Sequence, residues 1–457
     1  MITVMKFGGT SVGSPEALQR ATKIIMDGNG RKIVVASAMS GITNFLVKGV
    51  EGLPDSGKGI ADEFEKKHID AAGQLLNGEQ MAEFMKEFEI RMKKFRDLLE
   101  DKTAAKDPYF KDNITSQGER FSTLILSHAL KAAGARSVAL TSEDSGIYAE
   151  GSPLSGSADL QKTETAMAMK VKPYVDDGVI PVITGFYGIN CDGRPLTFGR
   201  GGSDYSAAVV ANAMNADLLE IWTDVDGFMS ADPRIIPDAV KIDEMNFGEA
   251  AELAYFGAKV LHPRTIEPVR MKHIPLKVRN SFNPDEPGTI IHHLRKPKDD
   301  MLRSVALKTD LSILSISSAE IAFHPEMVAR IIEKIAENEV VIYSVSTSLS
   351  TVAFLVHNND VKSILSKLNT LDPEDIERID VKSDMALVCA VGDNLLSKCG
   401  VSAEIFTAVK EARANVAMIS EGASDVSLNF VVPMSRATDV VKILHSKYVR
   451  GGFDERF

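Results

Sequence analysis

Two stretches of the chain combine glycines, a positive charge and a helix start, the pattern that anion binding requires. In KFGGTSVGSPEA, Lys6 to Ala17, a strand is expected to end at Phe7. Gly8 and Gly9 follow, and Ser14 and Pro15 stand where an N-cap and a first helical residue belong. Without a Cβ, glycine lets the main chain approach an anion, and a helix N-terminus offers free N–H donors at its positive end. Lys6 adds a full charge. Taken alone, the stretch reads equally well as an ordinary strand-to-helix turn. The second stretch, LTFGRGGSDYSAAVVANAM from Leu196 to Met214, repeats the arrangement. A strand runs into Gly199, Gly201 and Gly202, Arg200 and Asp204 flank them, and Ser203 is the expected N-cap. Two such loops in one sheet would present donors to one crevice, which favours a phosphate-bearing ligand over two unrelated turns.

A third glycine-rich stretch is a decoy. GLPDSGKG, Gly52 to Gly59, approaches the P-loop pattern, but Gly59 stands where the metal-binding hydroxyl belongs and the preceding TNFLVKGVE reads as helix rather than strand. Four more polar clusters remain: SAMSGITN (Ser37 to Asn44), SQGERFS (Ser116 to Ser122), WTDVDGFMSADPR (Trp222 to Arg234) and FGAKVLHPRT (Phe256 to Thr265). Singly they read as loops and caps, with Thr43 capping a helix, Glu119 a surface carboxylate and the aspartates in turns.

The elements that must position these residues alternate. ITVMKF, RKIVVASAM, SVALTS, VIPVITGF, LTFG, DLLEIWTDV and IPLKVRN read as strands, and PEALQRATKIIMDG, FSTLILSHALKAAG, LQKTETAMAMKVKPYVDDG and SAAVVANAMNA as helices. Such alternation predicts an α/β domain with a mainly parallel sheet between helix layers and ligands at the carboxyl ends of its strands. From Asp62 to Glu100 the pattern is helical, and Met81, Phe84, Met85, Phe88, Met92, Phe95 and Leu99 form an apolar stripe read as packing. NPDEPGTIIHHLRKPKDD, Asn283 to Asp300, marks a boundary. Beyond it, a shift of 74 residues lays the segment starting at Ala329 on the one starting at Ala403 without a gap. Each copy reads helix, strand, turn, strand and then helix, so two β-α-β-β-α-β units are expected. The predicted organisation is a catalytic domain over 1–282, a linker over 283–300 and two modules over 301–383 and 384–457.

Composition narrows the classes. The 457 residues are 44% hydrophobic and 25% charged, as in a globular multidomain protein, with a net charge of −11 that disfavours nucleic-acid binding. Cys191, Cys389 and Cys399 show no C-x-x-C spacing, so neither a zinc site nor a disulfide framework is expected. No apolar run reaches the roughly 18 residues of a membrane span, and MITVMKFGGT has no signal-peptide character, so no membrane association and a cytoplasmic location are expected.

As a set, KFGGTSV, SAMSGITN, GER, GRGGSDYSA, WTDVDG…DPR and GAKVLHPRT resemble the aspartate kinases of the amino-acid kinase family, in that family's order. GVSAEIFTAVKEARANVAMISEGAS resembles its ACT modules. The resemblance covers nearly the whole chain and implies an amino-acid kinase fold followed by two ferredoxin-like ACT modules. It also implies ATP-dependent phosphorylation of the aspartate side-chain carboxylate, with Mg2+ arriving on ATP and no protein ligand named. A carboxylate nucleophile is already ionised near neutral pH and needs no general base. The demand is to cancel repulsion between two anions and hold them in line. By the resemblance, Lys6 and the N–H groups of Gly8, Gly9 and Gly202 stabilise the phosphoryl group, and Asp204 orients Lys6. Arg200 grips the α-carboxylate of aspartate, Glu119 its α-ammonium, and Ser37, Thr43 and Ser203 help place the carboxylates. Phe7, Thr223, Asp224, Phe228, Arg234, Lys259 and Val260 match nucleotide-binding positions, Phe228 standing where a tyrosine is common.

Acetylglutamate kinase, glutamate 5-kinase and nucleoside-monophosphate kinase relatives lack this pairing of motifs, and no dinucleotide-binding domain is expected after residue 457. A catalytically dead amino-acid sensor would have lost Lys6, Glu119, Arg200 or Asp204, and all four are present. The ACT modules imply a homodimer or larger homo-oligomer and feedback by a pathway amino acid. The second copy keeps a glycine-bearing loop, GDNLLSKCG, whereas the first has SSAEIAFHPEM without glycine. An altered effector pocket at His324, Asn338, Val340 and Ser346 is therefore expected, with threonine placed slightly ahead of lysine. The alternative is lost feedback, with modules that serve only dimerisation.

Overall fold

The computed structural model describes residues 1–53, 56–101, 103–257, 260–294, 301–319, 321, 324–337, 340–371, 376–393, 395, 399–422 and 424–449. They form two compact units: Met1–Phe228 with Asp243–Phe247 and Lys259–Leu294, and Met229–Ile242 with Gly248–Ala258 and Arg295–Phe457. Among the described residues no helix is long and apolar enough to cross a membrane.

The first unit is built on eight strands. Their order is Glu244–Asn246, Thr289–His292, Leu276–Asn280, Leu218–Thr223, Ile2–Phe7, Arg31–Ala36, Ile180–Thr184, Ser137–Leu140. Every neighbouring pair is parallel except Leu276–Asn280 with Thr289–His292. Val4, Ile33, Val34 and Val35 are fully buried, as central parallel strands covered on both faces require. Strand alternation then sorts the side chains of Ile2–Phe7. Met5 and Phe7 join the core of Leu18 and Ile25 from helix Pro15–Asp27 and Leu124 from helix Gln117–Ala132. Lys6 points the other way, toward helix Gly202–Ala213.

The helical stretch after Asp62 is two helices, Gly57–Gly73 and Gly78–Glu100, separated where Asn77 is extended and Gly78 takes φ 51°. Phe84, Phe88, Met92, Phe95 and Leu99 are buried, and Met81 and Met85 pack half-buried beside them. The stripe is core, as its spacing suggested, with Phe64, Phe95 and Phe121 in contact ring to ring.

In the second unit six strands make one sheet. The order is Ser344–Thr347, Thr351–His357, Ser304–Ser317, Arg378–Val391, Ser427–Pro433, Met418–Ser420. Its two long central strands are antiparallel, and their register breaks around Leu311. There Asp310 (φ 63°) and Asp384 (φ 57°), separated by the 74-residue repeat interval, take the left-handed conformation that aspartate tolerates better than most residues. The break divides the sheet into two βαββαβ units. Leu311–Ser317 pairs with Thr351–His357, which pairs with Ser344–Thr347, while Arg378–Lys382 lies on the other side of Leu311–Ser317. Met385–Val391 pairs with Ser427–Pro433 in the same way, but its other neighbour is Ser304–Lys308, from before the first copy. The first module is thus inserted into the second, where a simple succession at residue 384 had been expected. Ala231 and Ile236 are buried in the core of the second module with Met301, Leu302 and Val305, which explains why Met229–Ile242 belongs to this unit.

Candidate active site

Parallel register brings strand ends level: Lys6 lies opposite Val35 and Ile221, and Phe7 opposite Ala36 and Trp222. The loops after Phe7, Ala36, Thr184 and Thr223 therefore emerge together, and a cavity of about 480 Å³ opens among them. Lys6, Gly8, Gly9, Ser37, Thr43, Glu119, Arg200, Gly202, Ser203, Asp204, Thr223 and Asp224 all line it. The Lys6 ammonium lies 2.5 Å from Asp204 Oδ1, with both side chains largely buried. Asp204 comes from the first turn of its helix, where the macrodipole favours an acid, and its charge offsets the penalty of burying the lysine.

The local folding departs from the sequence expectation in three ways. Ser14 does cap its helix, accepting the Ala17 N–H at 3.2 Å, but the main chain at the cavity is Gly8–Thr10, in a single 3₁₀ turn that starts at Gly9. Ser203 and Thr43 are not caps. Gly201 (φ 72°) and Gly41 (φ 80°) hold those positions, and the two hydroxyl residues fall inside the first turns, on the cavity wall. Finally, the Gly8 N–H is donated to the Trp222 carbonyl (3.1 Å) and the Gly202 N–H to that of Gly199 (3.0 Å). Two of the three N–H groups expected on phosphate are thus engaged within the chain, and the third residue, Gly9, lines the cavity. The N–H groups of Ser203 and Asp204 are ones that a helix start leaves unsatisfied, donors that the expected helix start implied without naming them.

Glu119, in the first turn of helix Gln117–Ala132, is 2% exposed. It is no surface carboxylate. Burial pushes its carboxyl up to about 8, against the Ala38 N–H and the Lys6 charge that favour ionisation. Its Oε2 has no hydrogen-bond partner among the described residues, an unpaired buried acceptor at a cavity wall. The helix reaches this close because residue 118 is glycine: a Cβ there would fall 2.7 Å from that of Ala38. Ser122 then ties the helix to the loop, donating to the Ser37 carbonyl at 2.6 Å.

The remaining nucleotide candidates stand elsewhere. Phe7 is fully buried and stacked on Trp222, ring centres 6.0 Å apart. Phe228 is also fully buried, with its N–H donated to Thr289 Oγ1, so its ring is core rather than a cavity wall. Arg234 lies in the second unit and holds Asp232, Val260 is half-buried off the cavity wall, and Lys259 lies outside the described residues. Ser40, Asn44 and Phe186 line the cavity without having been singled out. Phe186 adopts φ 76° and accepts the Phe198 N–H at 2.8 Å; its place in VIPVITGF, read as strand, hid that turn. Of the effector candidates, His324 pairs with Glu326, Val340 packs half-buried on the first module's core and Ser346 is exposed, while Asn338 lies outside the described residues. A cavity of about 600 Å³ in that module is lined instead by residues that include Ser312, Asn358, Lys362 and Ser383.

A lysine held by an acid between glycine turns, at the carboxyl ends of a parallel sheet, is an arrangement suited to a phosphate-bearing ligand. Residues 1–280 match the amino acid kinase family and residues 388–448 an ACT domain. The chain belongs to the amino acid kinase family, among its aspartokinases. It is 32% identical over 456 residues to lysine-sensitive aspartokinase 3 of Escherichia coli K12, covering 97% of this chain and 98% of that protein. It is 31% identical to the chloroplastic bifunctional aspartokinase/homoserine dehydrogenase 2 of Zea mays, spanning 98% of this chain but about half the length of that relative. Among solved structures, E. coli aspartokinase III in complex with aspartate and ADP (R-state) superposes with a TM-score of 0.83 over 98% of this chain and 99% of that one.

Proposed function

We propose that the chain is an aspartate kinase that feeds lysine, threonine and methionine synthesis in the cytoplasm. A side-chain carboxylate oxygen of L-aspartate attacks the γ-phosphorus of ATP, the bond to the bridging oxygen breaks, and 4-phospho-L-aspartate and ADP leave. The observation that carries the reading is the Lys6–Asp204 pair sharing one cavity with the buried Glu119 carboxyl, whose Oε2 has no hydrogen-bond partner among the described residues. The first suits a transferring phosphoryl group and the second an α-ammonium. The complex of the E. coli relative with aspartate and ADP supports this pairing of ligands.

In this reading Lys6, the Gly9 N–H and the first-turn N–H groups of Ser203 and Asp204 take up charge on the phosphoryl oxygens. Asp204 holds Lys6 in place. Arg200, exposed at the rim, closes on the α-carboxylate, and Ser37, Thr43 and Ser203 orient the carboxylates. Thr223 and Asp224 border the nucleotide. Of the acids that line the cavity, Asp204 is spent on Lys6 and Glu119 is buried, which leaves exposed Asp224 alone, short of a hard-cation cage, so Mg2+ would arrive with ATP. The nested ACT modules serve oligomerisation and feedback, and the lysine sensitivity in the name of the E. coli relative makes lysine the first effector to try, with threonine second. An acyl phosphate that hydroxylamine traps, formed from aspartate and ATP by the wild type but not by Lys6→Ala, tests the reading.

A further inference from the structure

The second half of GAKVLHPRT takes no part in the chemistry above, yet it lies against the substrate loop. Arg264 sits in the turn Pro263–Thr265. Its guanidinium donates through Nη1 to the Phe198 carbonyl (2.9 Å) and through Nη2 to the Gly156 carbonyl (2.8 Å) and Ser157 Oγ (3.1 Å). Its Cζ lies 4.6 Å from the centre of the Tyr205 ring, and that ring meets Phe198 edge-on at 5.1 Å. Phe198 immediately precedes, and Tyr205 immediately follows, the segment Gly199–Asp204. One planar cation therefore holds both shoulders of the segment that carries Arg200, Ser203 and Asp204.

Asp204 is fixed by its helix and by Lys6, but Gly199–Gly201 lie ahead of that helix, in a turn closed by the Gly202 N–H on the Gly199 carbonyl. Arg200 is flanked by glycines at φ 71° and 72°, residues with many alternative conformations. His262 supplies the inner stop: a Cβ on Gly201 would fall 2.4 Å from the His262 Cβ. Burial and the Arg264 cation hold the His262 imidazole below its usual range, with Asp204 opposing them, so the ring sits within the field of the loop. A guanidinium can send donors in two directions while its face stays on a ring, and an ammonium cannot.

We infer that Arg264 is a positioning residue for aspartate, acting through the conformation of Gly199–Asp204 on the direction of Arg200. The inference rests on the reading that Arg200 grips the substrate. Its test is a double-mutant cycle of Arg264→Gln with Arg200→Ala, read as KM for aspartate and for ATP, with thermal melting as a check on folding; Arg264→Lys replaces Arg264→Gln if that variant does not fold. The expected result is a rise of roughly tenfold in aspartate KM for the Arg264 variant, with ATP KM changed less than about threefold. Once Arg200 is already alanine, the same substitution should shift aspartate KM by less than about threefold. Equal rises for both substrates, no rise, or the same aspartate effect without Arg200 would overturn the inference. If Arg200→Ala alone leaves aspartate KM unchanged, the assignment of Arg200 to the substrate falls, and this inference with it.

Discussion

Replacing Glu119 by glutamine should make the protein more stable and a worse enzyme. In the folded chain without substrate, burial raises this carboxyl from an ordinary 4.5 to about 8. Between those values the folded state keeps a proton that the unfolded chain has released, so stability falls as pH rises through the window and levels off above the folded value. At 1.36 kcal/mol per unit, the penalty at pH 7 has an upper bound of about 3 kcal/mol. Glu119→Gln removes the titration and keeps an acceptor for the Ala38 N–H. Melting temperature should therefore rise by roughly 2 °C per kcal/mol regained, with the gain small at pH 5 and largest near pH 8. The amide cannot offer a charge to the α-ammonium, so aspartate KM should rise roughly 10- to 100-fold while ATP KM stays within about threefold. In the wild type, binding aspartate near pH 7 should release up to one proton, seen by calorimetry in buffers of different ionisation enthalpy, and Glu119→Gln should abolish that release. A stability difference of constant size from pH 5 to pH 8, or a glutamine variant that melts lower at pH 8, would refute the reasoning.

Lys6→Ala should lower kcat by roughly a hundredfold or more with little change in ATP KM, because the lysine is most needed where charge develops in transfer; near-wild-type kcat would remove it from that role. Arg200→Ala should raise aspartate KM by roughly 10- to 100-fold and leave ATP KM nearly alone, and a selective loss of ATP affinity would mean that the guanidinium serves the other ligand. Lysine at millimolar concentration should inhibit, with threonine tested beside it. If neither amino acid alters kcat or either KM, the regulatory half of the proposal fails and the kinase half stands.

Glycine punctuation made much of this legible from sequence. Strand, glycines and helix start placed Lys6 and Asp204 in one crevice, and parallel register brought them together. The caps misled because left-handed Gly41 and Gly201 end their loops without a side chain, which moved Thr43 and Ser203 from capping to lining. Phe7 and Phe228 carry no mark distinguishing an aromatic that faces a nucleotide from one in the core, and only packing shows them fully buried. A repeat shifted by 74 residues likewise reveals two modules but not which strand completes which sheet, so Ser304–Lys308 was read with the wrong copy. Arg264 escaped notice for a similar reason, since it acts on main-chain carbonyls 66 and 108 residues away.

The most direct test of the central claim is the rate of hydroxamate formation by the purified chain with MgATP and, in parallel, L-aspartate, L-glutamate or N-acetyl-L-glutamate. The glutamates are longer by one methylene, and the acetylated one lacks the α-ammonium for which Glu119 is proposed. Aspartate should be preferred in kcat/KM by at least roughly tenfold over glutamate, and acetylglutamate should give no product above background. Preference for either glutamate, or no acyl phosphate from aspartate, would contradict the account.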